Sequence, residues 1–401
     1  MEKKFINESA NINNKKWDQM ISRKSPIYIR DTDIRSDFER DYTRIIHSNA
    51  YKRLKHKTQV FFSPKNDHIC TRIEHVSHVE SISYTIADTL GLNTSLTKAI
   101  ATAHDIGHSP FGHQGEKILN EISIRDCNKT FWHENNGLFF ADNIELLEDN
   151  NGNKQNLNLT YAVRDGIISH CGEIDEDFLK PRDEYIDLEN YLTPNQYSPF
   201  TWEGCVVKIS DKISYIGRDI IDAISLGILD NDLDELYELL SCPREYKLNN
   251  ANIINKLIYD LCMNSNPKDG LIISEENLNL LTKIKEFNYS KIYKSSRILP
   301  SNKYFSLVIN QIYDTLKNLY SGKDTISHLN NLNKHYPKLI SGFISWLKQY
   351  LNITDRSDNK LQNNILFDIN NPIDYYSSII YYISGMTDNY AIEMYNEIIS
   401  F

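Results

Sequence analysis

The sequence is poor in residues that interrupt helices and has no paired cysteines. It holds 15 glycines and 11 prolines in 401 residues, a low share that favours helices over turn-rich β architecture. Its six cysteines, at 70, 127, 171, 205, 242 and 262, form no CxxC pair, which argues against a zinc ribbon and a disulfide framework. The sequence therefore predicts a mostly helical protein with reduced thiols, as in the cytoplasm.

Long apolar runs are also missing. Nowhere do about 18 apolar residues follow one another, and the start, MEKKFINESANINNKKW, lacks the apolar centre of a secretion signal. We therefore expect a soluble cytoplasmic protein with no membrane partner. The formal net charge of -10 argues against a surface that coats nucleic acid, although a local basic patch is compatible with it.

Helical periodicity marks the segments that carry unusual residues. Apolar residues recur at three- and four-residue spacings from Ile73 to Leu90, and Gly91 follows as a C-terminal cap. NTSLTKAIATAHDIGH predicts a second helix with His104 and Asp105 near its end, and HQGEKILNEI predicts a third. Residues 202–229 predict a long helix and 149–159 a loop. Further helical segments are 160–171, 252–263, 303–319, 336–351 and 373–399.

Histidines crowd the first part of the chain. Ten of the twelve fall at positions 47, 56, 68, 75, 78, 104, 108, 113, 133 and 170. We interpret His47, His56, His68, His328 and His335 as structural residues, because a single helical histidine is seldom a ligand.

The adjacent pair His104 and Asp105 points to a metal site. Both side chains can reach one cation, and His75 with an aspartate of the 202–229 helix can complete the set. Two imidazoles and two carboxylates suit Mn, Fe, Co, Ni, Zn or Mg, and the spacing does not choose among them. His113 and Glu116, at i and i+3, form a second dyad in which a carboxylate orients an imidazole for acid and base work.

Several motifs carry a resemblance to a known family. TRIEHVSHV, AHDIGHSPFGHQGE, FWHENN and KISDKISYIGRD occur in the order and spacing of the HD-domain superfamily, and look like the dGTP triphosphohydrolase family. FERDYTRIIHSNAYKRLKHKTQVF and YISGMTDNYA resemble that family's N-terminal and C-terminal signatures. The chain departs from the family pattern at Ser109, where a second proline is usual, and around His133.

The resemblance implies an all-α fold, with an HD-domain helical bundle core and additional C-terminal helices. We expect one unit over 1–401, with a catalytic core at 50–230 and a helical C-terminal part at 231–401 packed on it. The implied reaction is metal-dependent hydrolysis of a deoxynucleoside triphosphate, with dGTP as the default substrate, to deoxynucleoside and triphosphate. The implied metal ligands are His75, His104, Asp105 and Asp211, and the implied catalytic dyad is His113 and Glu116.

The resemblance also implies residues that contact the substrate. They are Gln59, Arg72, His108, His133, Lys212, Tyr215 and Asp219. Gln59 and Asp219 match groups that read the sugar 3′-hydroxyl, and Tyr215 matches a sugar-side contact. Lys212 matches a phosphate contact, and Arg72 matches an arginine that contacts phosphate or base. Arg72 and Lys212 as surface charges, or Tyr215 as core, are the alternatives, and a structural role for His108 and His133 is nearly as plausible.

Partners and rival functions follow from the same resemblance. We expect a homo-oligomer, a tetramer or hexamer, with Mn or Mg as the ion and single-stranded DNA as an accessory partner. One rival is another HD phosphohydrolase, a 5′-nucleotidase or alarmone hydrolase, which would release a different product. A second rival is a nucleotide- or DNA-binding regulator with a vestigial site, which the intact ligand set argues against.

Overall fold

The computed structural model describes residues 2–27, 29, 32–62, 66, 68–171, 178–240, 250–352 and 360–400. Within these ranges the chain forms seventeen α-helices and a single two-stranded antiparallel sheet, so the predicted all-α class is confirmed. In the part of the chain so described, no helix is both long and apolar enough to cross a lipid bilayer. Cys242 lies outside the described residues, and the other five cysteines are buried and free.

The α-helices follow one another along the chain with few strands between them. They are α1 (Trp17–Met20), α2 (Asp37–His47), α3 (Asn49–Arg53), α4 (Arg72–Leu90), α5 (Thr94–Ala103), α6 (Gly112–Cys127), α7 (His133–Phe139), α8 (Tyr161–Ser169), α9 (Trp202–Ser225), α10 (Leu233–Leu239), α11 (Asn250–Asn264), α12 (Glu275–Phe287), α13 (Leu299–Lys317), α14 (Thr325–Leu332), α15 (Pro337–Leu347), α16 (Pro372–Ser384) and α17 (Asp388–Ile399). The sheet pairs β1 (Leu146–Glu148) with β2 (Lys154–Asn156). Short 3-10 helices lie at Leu54–His56, Leu188–Asn190 and Gly322–Asp324, and π-helical turns at Phe140–Ile144 and Asn288–Tyr293.

Local sequence signals explain the helices that frame the site. Glu74 Oε2 accepts a hydrogen bond from the backbone N–H of Thr71 at 2.8 Å, which starts α4 with a capping box. Gly91 ends α4 with a φ of 86°, a left-handed conformation that glycine adopts without strain. Asn93 caps α5 by accepting from Leu96 N at 3.0 Å. Capping therefore fixes where these two helices meet.

Two apolar cores surround these helices. One cluster is built mainly from α2, α5–α8 and the C-terminal helices α13 and α15–α17. The other is built mainly from the far end of α4 with α9, α11 and α12. Helices α13 and α16 pack against α6, so the C-terminal part adjoins the helix that carries the predicted dyad. A boundary near residue 230 stays a prediction.

Several predicted boundaries differ from the structure. The second predicted helix ends at Ala103, so His104 is its C-cap and Asp105 lies beyond it. The helix predicted over 202–229 ends at Ser225, four residues earlier than expected. Part of the predicted 149–159 loop forms strand β2. The predicted 373–399 segment is two helices, because Thr387 caps a new helix by accepting from Tyr390 N at 3.3 Å.

Candidate metal centre

The four predicted metal ligands lie together where α4, α5 and α9 meet. Helix α4 carries His75, His104 is the C-cap of α5 with Asp105 directly after it, and α9 carries Asp211. His75 Nε2 lies 3.0 Å from Asp211 Oδ1 and 3.8 Å from Asp105 Oδ2. His104 Nε2 lies 3.6 Å from Asp105 Oδ1 and 4.0 Å from Asp211 Oδ1. Side chains that are distant in sequence therefore converge on one point.

The His104 imidazole gives a test of whether this cluster fits a divalent cation. Its Nδ1 donates to Ala101 O at 2.7 Å, which leaves the lone pair on Nε2. Nε2 is buried and finds no hydrogen-bond partner among the residues that the structure describes, which costs free energy unless an electrophile satisfies the atom. One ligand atom each from His75, His104 and Asp211 lies within 4.8 Å of the other two. The residues present therefore fit a divalent ion.

Asp105 is held by two side chains that the sequence assigned to the substrate. Arg72 Nη1 donates to Asp105 Oδ2 at 2.9 Å, and His108 Nε2 lies 2.9 Å from Asp105 Oδ1. Burial opposes the charge on Asp105, but His108 and Arg72 outweigh it and hold its pKa well below the usual range. Arg72 also donates to the carbonyls of Thr58 and Gln59 at 3.2 and 3.3 Å. Arg72 thus orients a predicted ligand, and its contact with substrate stays a prediction.

Glu116 lies between two imidazoles. His133 Nδ1 donates to Glu116 Oε2 at 3.0 Å, and the His133 backbone N–H donates to Oε1 at 3.3 Å. His113 Nδ1 lies 3.6 Å from Glu116 Oε2, and the His113 side chain is 61% exposed. Burial opposes the charge on Glu116, but His133 and His113 outweigh it and hold its pKa well below the usual range. The predicted dyad is therefore close, but the shorter contact of Glu116 goes to His133.

His170 lies at the site although no motif in the sequence assigned it there. It follows α8, and its Nδ1 donates to Ile167 O at 2.7 Å, just as His104 binds the carbonyl three residues before it. The His170 ring lies 5.0 Å from the His104 ring and 5.5 Å from the His133 ring. Burial, with help from His104 and His133, lowers the pKa of His170 to about 3, so the ring is neutral. The repeated pattern of a histidine just after a helix is the signal that could have found it.

A cavity of about 740 Å³ opens above these residues. Six of the seven predicted substrate contacts line it, namely Gln59, Arg72, His108, His133, Tyr215 and Asp219. The seventh, Lys212, is buried and is not part of the lining. It follows Asp211 directly on α9, so its side chain leaves the helix about 100° away from the carboxylate that faces the cavity. The structure thus brings six of these residues together and leaves Lys212 apart.

The far side of the cavity holds a buried acid with a tyrosine partner. Tyr293 Oη donates to Asp219 Oδ2 at 2.5 Å, and both side chains line the cavity. Burial raises the pKa of Asp219 to about 6, against the opposing effect of the Tyr293 hydrogen bond. Tyr293 lies on the π-helical turn after α12, and sequence periodicity gave no signal for it. Lys117 and Lys285 also line the cavity and were not predicted.

Comparison with known proteins places this geometry in a family. A profile of the HD domain matches residues 72–216, which include all four predicted ligands. A deoxyguanosinetriphosphate triphosphohydrolase-like protein of Rickettsia bellii (strain RML369-C) is 31% identical over 385 residues, covering 92% of this chain and 93% of the relative. The chain belongs to the HD-domain family of deoxyguanosinetriphosphate triphosphohydrolase-like proteins.

Other members of this family match as well. The deoxyguanosinetriphosphate triphosphohydrolase-like protein of Caldanaerobacter subterraneus subsp. tengcongensis is 37% identical over 281 residues, covering 70% of this chain and 72% of the relative. The one from Rickettsia felis is 30% identical over 379 residues, with coverage of 92% and 93%. Membership of this HD-domain family indicates a phosphohydrolase, and the His and Asp cluster provides a group that could hold its metal.

Proposed function

We propose that this chain hydrolyses a deoxynucleoside triphosphate, dGTP by default, to deoxynucleoside and inorganic triphosphate. The observation that carries the proposal is the convergence of His75, His104, Asp105 and Asp211 at the edge of one cavity. His113 and His133, the two imidazoles next to Glu116, line the same cavity. The names of the family relatives support the same substrate class.

His75, His104, Asp105 and Asp211 would hold one divalent cation, with Mn or Mg as our first expectation and Fe, Co, Ni or Zn compatible with the same ligands. When bound, the ion supplies Lewis-acid polarisation of a phosphate oxygen and makes a water more acidic. The chain's own contribution is orientation, because Arg72 and the Ala101 carbonyl fix the directions of Asp105 and His104.

Proton transfer falls to the imidazoles that Glu116 orients. Hydrolysis adds water across the bond between the α-phosphorus and the sugar 5′-oxygen, so the leaving oxygen needs a proton. Burial disfavours a charged His133, but Glu134 and Glu116 outweigh burial and raise the pKa of His133. His133 therefore holds a proton at neutral pH, with His113 on the other side of Glu116 as the second candidate donor.

Sugar recognition would occur at the opposite wall. Asp219 would accept a hydrogen bond from a 3′-hydroxyl, Gln59 would accept or donate one, and Tyr215 would exclude a ribose 2′-hydroxyl, since all three line the cavity. We propose these roles together with a phosphate contact for Lys117 or Lys285. A homo-oligomer and an accessory single-stranded DNA partner are part of the same proposal.

Product analysis tests the proposal. The purified chain is incubated with each of the four deoxynucleoside triphosphates and Mg²⁺ or Mn²⁺, and the released anion is identified by chromatography. Triphosphate as the anion, with dGTP used fastest, is the expected result. Orthophosphate or pyrophosphate would instead indicate a different HD phosphohydrolase.

A matched pair of aspartate variants controls for impurities and misfolding. Asp105→Ala removes a predicted ligand and is expected to abolish turnover. Asp374→Asn alters a half-buried carboxylate that accepts from Asp368 N at 2.9 Å in the C-terminal part, outside the cavity lining, and is expected to keep full activity. Turnover by Asp105→Ala at the wild-type rate would contradict the metal assignment.

A further inference from the structure

The first residue of α17 reaches two loops of the candidate active site. Asp388 is 2% exposed and lies more than 270 residues after both loops in the sequence. Its Oδ2 accepts hydrogen bonds from the Thr58 N–H at 2.8 Å and from the Thr58 hydroxyl. Its Oδ1 accepts from the Phe111 N–H at 2.9 Å. One carboxylate therefore ties the segment before Gln59 to the segment before His113.

A buried lysine makes a second tie between the same parts. Lys57 Nζ donates to the carbonyl of Ser384, at the end of α16, at 3.0 Å and also to the carbonyl of His108. Lys57 is 3% exposed, so these bonds are shielded from water. The turn between α16 and α17 is thus bonded to both active-site segments through two independent side chains.

Both segments lead to residues of the candidate site, one through hydrogen bonds and the other through the start of α6. The Thr58 carbonyl accepts from Arg72, whose guanidinium also donates to Asp105. Phe111 has a φ of 63°, an unfavourable conformation for a side chain with a Cβ, and it directly precedes the first turn of α6. The bond from Phe111 to Asp388 holds that conformation, and α6 carries His113 and Glu116 two and five residues later.

We propose that Asp388 is a positioning residue for the hydrolytic reaction, which sets the start of α6 and the Thr58 segment relative to the metal ligands. It does not line the cavity, so it acts through the loops and does not touch the substrate. The kinetic test of this inference, a change in kcat, rests on the proposed function. The structural test, amide hydrogen exchange in the two loops, does not depend on any activity.

Asparagine at this position is a sharp probe. The carboxylate accepts at both oxygens, whereas an asparagine side chain has one acceptor oxygen and one NH₂ donor. Whichever way the amide is turned, its NH₂ faces an N–H or hydroxyl donor, so Asp388→Asn frees either the Thr58 loop or the Phe111 loop. We expect kcat to fall about 100-fold, as a misplacement of about 1 Å can cause. KM is expected to change much less than kcat, because Asp219 and Tyr293 lie on other elements and keep their places even where Gln59 shifts.

A milder pair of variants keeps the test valid if Asp388→Asn does not fold. Thr58→Val removes the hydroxyl bond to Asp388 with little change in shape, and is expected to lower kcat about fivefold. Thr58→Ser keeps the hydroxyl and is expected to retain the wild-type kcat. Asp41→Asn is the control for losing a buried carboxylate elsewhere, because Asp41 is equally buried and accepts from Thr160 N at 2.8 Å and from Arg23 at 2.6 Å, outside the cavity lining.

Hydrogen exchange of the full chain decides the inference independently of turnover. Asp388→Asn is expected to speed amide exchange in 57–62 or 106–117 while leaving the 72–90 helix unchanged. Wild-type kcat in Asp388→Asn, or equal losses in Thr58→Ser and Thr58→Val, would overturn the inference, as would an equal loss in Asp41→Asn. If wild-type protein releases no triphosphate, the proposed function fails, and unchanged exchange at both loops then separately rejects the role of Asp388.

Discussion

At the scale of single residues, the Asp219 and Tyr293 pair is unusual because a carboxyl group is buried beside a neutral partner. The pKa of Asp219 is raised by burial from 3.8 to about 6, so the folded chain binds more protons than the unfolded chain between these pH values. The free energy of unfolding therefore falls as pH rises through this window. Near neutral pH the side chain is ionised and can accept a hydrogen bond from a sugar hydroxyl.

Asp219→Asn should remove this pH dependence. Because a shift of one pKa unit corresponds to about 1.4 kcal/mol, the stability of the variant relative to wild type is expected to rise by about 3 kcal/mol between pH 4 and pH 7. Urea denaturation at a series of pH values measures the difference. Tyr293→Phe removes the hydrogen bond that lowers the pKa of Asp219. In this variant the pH range over which stability falls should therefore extend to higher pH than in the wild type. A flat difference across pH for Asp219→Asn would contradict the assignment.

Residue types and spacing alone proposed His75, His104 and Asp105, with an unspecified aspartate of the 202–229 helix, and the His113 and Glu116 pair. The family resemblance supplied Asp211 and most of the substrate contacts, and the structure shows why other residues escaped. His104 and Asp105 are adjacent in sequence, so their proximity was certain. His75 could be proposed as a third ligand because it lies on a helix that the apolar spacing predicts. His170 and Tyr293 depend on how α8 and the turn after α12 are oriented, which no local pattern encodes. The shorter contact of Glu116 with His133 likewise depends on where the start of α7 lies relative to α6, which no local pattern encodes.

At the scale of elements, the predicted helices are confirmed best where one face is apolar over many turns. The 73–90 pattern corresponds to α4 at Arg72–Leu90. Boundaries were wrong where a tertiary contact ends a helix, as at Ala103, because the chain there turns so that His104 and Asp105 reach the centre. The π-helical turns at Phe140–Ile144 and Asn288–Tyr293 had no signal, since they change helical register without a change in composition.

The loop after α5 packs against α7 with no space for a side chain. A Cβ on Gly107 would lie 2.1 Å from the His133 carbonyl oxygen and 2.1 Å from Gly137 N. Gly107→Ala is therefore expected to push α7 away, to lower the free energy of unfolding by about 1–3 kcal/mol and to reduce kcat as His133 moves. Unfolding in urea and initial rates measure the two effects.

Gly322→Ala serves as the comparison for Gly107→Ala. A Cβ there meets nothing within 4 Å, and the φ of 55° alone should cost about 1 kcal/mol without a change in kcat. Equal rates in the two variants would show that the contact between this loop and α7 does not position His133.

At the scale of the whole molecule, the candidate centre joins helices that are far apart in the chain. A cation held by α4, the end of α5 and α9 would link both apolar clusters, and ligand binding to the folded state alone adds to stability. Metal content should therefore control the melting temperature as well as the activity.

Saturating Mn²⁺ is expected to stabilise the chain, and a chelator to reverse the effect. At a free concentration 100 times the dissociation constant, the gain is about 2.7 kcal/mol, which thermal and urea unfolding can both detect. His104→Ala should lose the gain, because the partnerless Nε2 is removed. His335→Ala, in the part of the chain remote from the cavity, should keep it. A full Mn²⁺ effect in His104→Ala would place the ion elsewhere.

Helix α9 carries both Asp211 and Asp219, eight residues and about 12 Å apart along its axis. Because a helix is stiff, the distance between Asp211, the proposed metal ligand, and Asp219, the proposed sugar contact, cannot change unless α9 bends. Differences in substrate choice among related chains should therefore arise in the other elements that line the cavity and leave the spacing along α9 unchanged.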